Sequence, residues 1–96
     1  MGKIQETQNF TGKSASDLYQ AILKGVPQAG LQIWKRRDIA WLVMVRAGTG
    51  DNAIDGNVSA RPGAQATVSL SSAGLEDSEL HARAEAVFNA IKKALG

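Results

Sequence analysis

Leu80, Ala84, Val87, Phe88, Ile91 and Leu95 recur at three- and four-residue spacing and form one apolar stripe on a helix predicted over residues 78–95. A stripe of that length must be covered by a second layer. Glu76, Asp77 and Glu79 stand near the start of this helix and Lys92 and Lys93 near its end, which suits the sign of the helix dipole at each terminus. Asp77 or Ser78 is positioned to cap it. The covering layer is predicted in the residues before it. Residues 65–72 alternate, with Ala66, Val68 and Leu70 on one face and Gln65, Thr67, Ser69 and Ser71 on the other, as a half-buried strand does.

Similar alternation marks residues 31–35, 39–47 and 53–61, and Pro62-Gly63 turns the last of these into the strand at 65–72. Residues 3–10 predict a further strand with Ile4, Glu6, Gln8 and Phe10 on one face. Ala15, Leu18, Ile22 and Val26 make one face of a short helix, extended by Leu23, capped by Ser14 or Ser16 and stopped by Gly25 and Pro27. The order is β-α-β-β-β-β-α. It predicts an α+β two-layer sandwich: a five-stranded antiparallel sheet with a short N-terminal and a long C-terminal helix on one face.

Composition narrows the function classes. With 96 residues the chain is read as one domain, 1–96. It has no cysteine and a single histidine, His81, which excludes disulfides, thiol catalysis and multi-histidine metal sites within one chain. No segment has the apolar length of a signal peptide or a membrane helix, so a soluble, cytoplasmic protein without membrane partners is expected. The net charge of +2 argues for solubility more than for nucleic acid as a main partner.

The first hairpin decides which face is open. A three-residue turn at Arg36-Arg37-Asp38 pairs Lys35 with Ile39 and turns Leu31, Ile33, Ile39, Trp41, Val43 and Val45 inward. Gln32, Trp34, Arg36, Ala40, Leu42, Met44 and Arg46 then face outward. A two-residue turn would reverse the later strand. In the first register Trp34, Leu42 and Met44 form an apolar patch on an uncovered sheet face, a candidate surface for self-association. In a monomer, Arg36 and Arg46 are long enough to cover it.

The strand at 3–10, the helix at 14–24, the four strands between 31 and 72 and the long helix at 78–95 resemble the helix-grip group. That group includes START-type lipid-transfer domains, polyketide cyclases and pollen-allergen-like proteins. A repeat of the TATA-box-binding protein has a similar order. The resemblance is architectural, spans nearly the whole chain and is nearest to the small, uncharacterised bacterial-type members. Larger helix-grip proteins insert a helix and two strands after the first helix. This chain passes directly from Val26 to Leu31, which leaves less room for a cavity.

Short motifs are explained by local structure. Gly12-Lys13-Ser14 lacks the earlier glycine of a P-loop and reads as a turn and cap. Gly48-Thr49-Gly50 follows a strand but no helix follows it, so it reads as a loop and not a dinucleotide site. Asp51, Asn52, Asp55 and Asn57 lack EF-hand spacing and read as turn residues. His81 is spaced to pair with Glu85 on the helix surface, and Glu6 is a polar anchor if its strand face is buried.

A non-enzymatic module is the leaning expectation, with no catalytic, metal or cofactor residues assigned. The leading expectation is a small apolar ligand held between the sheet and the last helix, lined by Trp41, Val43, Val58, Val68, Phe88 and Ile91. The first alternative is a homodimer through Trp34, Leu42 and Met44. The second is weak nucleic-acid binding through the basic tip Lys35, Arg36 and Arg37.

Overall fold

The apolar stripe of the last helix does find its cover in a single sheet. A computed structural model describes residues 2–95, in the order β1 (Gly2–Asn9), α1 (Ala15–Gln28), β2 (Gln32–Arg37), β3 (Leu42–Ala47), β4 (Ile54–Arg61), β5 (Gln65–Ser72) and α2 (Asp77–Leu95). Single 3-10 turns occupy Asp38–Ala40 and Gly50–Asn52. The sheet is antiparallel throughout, in the order β1-β5-β4-β3-β2. The first strand therefore lies against the last, in unbroken register from Gly2 opposite Ser72 to Asn9 opposite Gln65.

Alternation sorts the strands into two faces. Val43, Val58 and Val68 form one cross-strand row and are fully buried. Leu18 and Ile22 of α1 and Leu80, Val87, Phe88 and Ile91 of α2 close over that side, all with no exposed surface. Both helices lie on this face of the sheet, α1 towards β4 and β2 and α2 towards β1 and β5. Burial of side chains this size contributes about 1.5–3 kcal/mol each relative to leaving them exposed.

α1 begins where the sequence predicts: Ser14 is extended and its Oγ accepts the amide of Asp17 at 3.1 Å. It ends later than predicted. The helix runs through Gly25 and Pro27 to Gln28. Gly25 is a contact residue, because a Cβ there would stand 3.0 Å from the carbonyl carbon of Ala90 on α2. Pro27 falls in the last turn, where its missing N–H removes a single helical bond. The stop comes at Gly30, left-handed at φ +86°. There the amides of Gly30 and Leu31 return to the carbonyls of Pro27 and Val26 at 3.2 and 3.3 Å, and the buried Leu31 follows the buried Val26 into the core.

The first hairpin differs from expectation. β2 and β3 close at Arg37 opposite Leu42, so the turn is Asp38 to Trp41 and Lys35 is not paired with Ile39. A bulge at Trp34 takes up the extra residue: Ile33 pairs with Val45, and Lys35 already pairs with Met44. Ile33, Val43 and Val45 do face the helices, and Gln32, Trp34, Leu42, Met44 and Arg46 do face away. Ile39, however, is fully exposed at the turn. Trp41 sits in the left-handed region at φ 50°, partly buried at the edge of the core. Arg36 pairs with Val43 and so moves to the helix side. There the buried Tyr19 hydroxyl of α1 donates to Asp38 Oδ1 at 2.5 Å, and Arg36 Nε donates to the same oxygen at 3.2 Å. These bonds tie the turn to α1.

Asp77 takes a different role from the one its position suggests. Its Oδ1 accepts the backbone N–H of Lys3 at 2.9 Å, joining the start of α2 to the outer edge of β1. No helix among the described residues is long and apolar enough to cross a membrane.

Candidate functional site

The six residues expected to line a ligand space are distributed unevenly. Val43, Val58, Val68, Phe88 and Ile91 are together in the core with no exposed surface, and Trp41, partly buried, packs against the edge of that core just before β3. Clefts of about 610 Å³ and 340 Å³ open elsewhere, and none of the six lines either of them. Both involve the uncovered face of the sheet.

That face is built by alternation and pairing alone. Reading from β2 to β1, one row runs Lys35, Met44, Asn57, Ser69, Gln5, and the next runs Arg37, Leu42, Ser59, Thr67, Thr7. A third row runs Gln32, Arg46, Asp55, Ser71, Lys3. At about 4.8 Å between strands the face is roughly 20 Å wide. Trp34, 46% exposed, leans over it from the bulge, with the guanidinium of Arg46 5.2 Å from the centre of its ring. Leu42 and Met44 are half-buried beside it. The larger cleft runs along Trp34, Arg46 and Gln32 at the β2 edge, and the smaller one crosses Lys3, Gln5, Asp55 and Asn57 at the opposite side. Trp34, Leu42 and Met44 thus share one surface.

Charge is divided between the two sides of the sheet. Lys3, Lys35, Arg37, Arg46 and Arg61 all lie on the open face, and Asp55 is the single side-chain carboxylate there among the described residues. The open face carries a surplus of four positive charges. The remaining six cations and eight carboxylates leave the rest of the chain with a deficit of two. The small overall charge conceals this division. Alternation alone places Arg46 on that face beside Trp34, but Lys3 and Arg61 join it only through strand order.

The basic tip is split by the bulge. Lys35 and Arg37 belong to the open face and Arg36 to the bonded group with Tyr19 and Asp38. The hydrogen bond from Tyr19, then the charge of Arg36, holds the Asp38 carboxyl below its usual range against the opposing effect of burial. Burial first, and then the bond to Asp38, pushes the Tyr19 phenol above its usual value.

A second cluster lies on the helix side. Glu6 of β1 pairs with Val68 and so points towards α2, where its Oε2 meets His81 Nδ1 at 2.5 Å. The other ring nitrogen of His81 is 3.6 Å from Glu85 Oε1, the neighbour predicted from helical spacing. The Glu6 hydrogen bond, followed by the charges of Glu6 and Glu85, pushes the His81 imidazole above its usual value. The inward phase of Glu6 was legible in the sequence; its partner was not, because that required the crossing of α2 over β1.

Comparison with models of known protein families gave no match, and neither did comparison with curated protein sequences.

Proposed function

We propose that the chain is a non-enzymatic binding module whose working surface is the open face of its sheet, and that its partner is a flexible polyanion, single-stranded nucleic acid. The observation that carries the reading is the surplus of four positive charges on a face that also bears an exposed indole. Phosphates are attracted to Lys35, Arg37 and Arg46, and a base stacks on Trp34 once Arg46 swings to a phosphate. Asn57, Ser69 and Gln5 offer hydrogen bonds across the same face without adding charge.

The same surplus weighs against a homodimer through Trp34, Leu42 and Met44. A two-fold contact would set the cationic face of one copy against that of another. An apolar ligand under α2 would require Val43, Val68 and Phe88 to separate, and these have no exposed surface in the packed state.

Fluorescence anisotropy with a labelled single strand of about 16 nucleotides, the upper end of common site sizes for sheet-based modules, tests the proposal. The expected result is binding that weakens with salt, the logarithm of affinity falling by roughly 0.7 per neutralised phosphate for each logarithmic unit of salt. Binding indifferent to salt, or none at low salt, would remove nucleic acid as the partner. A protein that elutes as a dimer and becomes monomeric on Met44→Lys would favour self-association instead.

A further inference from the structure

On the side of the molecule away from that face, we propose that Glu6, His81 and Glu85 form a binding site for a divalent transition-metal ion, with Zn²⁺ the ion best suited to the donors. One donor atom from each residue lies within 4.8 Å of the other two. The set combines one imidazole nitrogen with two carboxylate oxygens, which are ordinary zinc ligands and leave a position for water. Three protein donors and an open coordination position suit an exposed site, and His81 and Glu85 are about half exposed.

The backbone holds the donors close before any ion arrives. His81 and Glu85 are four residues apart on α2, so one helical turn sets their spacing. Glu6 belongs to a strand paired with β5 along its whole length, and the Lys3–Asp77 bond anchors that strand to the start of the same helix. A tetrahedral ion with bonds of 2.0–2.2 Å separates its ligands by about 3.3 Å. Glu6 meets Nδ1 of His81 at 2.5 Å and Glu85 meets Nε2 at 3.6 Å, so the two carboxylates flank different ring nitrogens, and only one of those nitrogens can face the ion. With one ring nitrogen as donor all three ligand atoms still lie within 4.8 Å, and the partly exposed side chains must rotate to draw them in to that spacing.

Charge gives the ion a reason to stay. Two carboxylates face a single imidazole, so the cluster keeps at least one negative charge even when His81 is protonated. Neither Glu6 nor Glu85 has a lysine or arginine partner among the described residues. A divalent cation replaces the imidazole's proton and neutralises both carboxylates.

Untagged protein is stripped with chelator, dialysed and titrated with Zn²⁺ by calorimetry, with the His81 ring resonances followed in parallel. The expected result is one ion per chain and a shift of the His81 ring signals. Glu6→Gln keeps a hydrogen-bonding partner for the imidazole and removes the anionic ligand. It and Glu85→Gln should each weaken binding by about 10- to 100-fold, the loss that even an outer-shell partner costs. His81→Gln should lose the site. No binding to the wild-type protein would overturn the proposal. So would undiminished, wild-type affinity in both glutamate variants, which would mean that His81 alone meets the ion at the surface.

Discussion

The two faces of one sheet are made from neighbouring residues and have opposite chemistry. Facing the helices, Val43, Val58 and Val68 lie in a row with no exposed surface. One residue along each strand, Leu42, Ser59 and Thr67 lie in a row on the open face, with Arg37 and Thr7 at its ends. The first row stabilises the fold. The second lies on the face that carries the positive surplus, with Arg37 as its own cation, although Ser59 and Thr67 within it are buried. With the open face proposed as the working surface, stability and binding fall on alternate residues of the same strands, so substitutions at adjacent positions should affect different measurements.

The largest expected effect is on the helix side. Phe88→Ala should destabilise by about 3–5 kcal/mol in chemical denaturation, while the fraction that remains folded binds an oligonucleotide as before. A parallel loss of binding in the folded fraction would break the separation of the two faces. Next in size, Ser14→Ala removes the N-cap of α1 and should cost about 0.5–2 kcal/mol, again without altering the affinity of folded protein. On the open face the expectation reverses. Lys35→Ala with Arg37→Ala should change stability by less than about 0.5 kcal/mol. The same pair should lower the salt slope of oligonucleotide binding by about 1.4, or 0.7 for each lost phosphate contact. An unchanged slope would exclude these two side chains from the interface.

The smallest effect is the response of the helix side to pH. Glu6 and Glu85 raise the folded pKa of His81, so the protonated imidazole favours the folded state. The contribution is complete below the ordinary histidine pKa of about 6.5 and disappears as pH rises through the higher folded value. Melting temperatures measured with chelator present should therefore fall relative to His81→Gln as pH rises across that window. His81 is half exposed, so the change should be small. A difference that grows with pH would have the wrong sign.

Much of the fold was legible because the longest patterns were unambiguous. The stripe on α2 and the alternation of β5 each admit one arrangement, and together they require a sheet with helices on a single side. The misreadings occurred where one residue serves two purposes. Gly25 and Pro27 look like a helix stop, but Gly25 allows α2 to approach and Pro27 lies where its missing amide matters little. The bulge at Trp34 has no glycine or proline to announce it, and it alone moves Arg36 to the opposite face. The Trp34, Leu42 and Met44 patch was legible from alternation. The charge around it was not, since Lys3 and Arg61 reach that surface only through the pairing of β1 with β5 and β5 with β4.

Amide and indole chemical-shift mapping during titration with a single-stranded oligonucleotide tests most directly whether the open face is the working surface. The account predicts the largest shifts at the Trp34 indole N–H and at Lys35, Met44 and Arg46, fading across β4 and β5 and absent from α1 and α2. Shifts concentrated on the helices, or at Phe88 and Ile91 in the core, would contradict it.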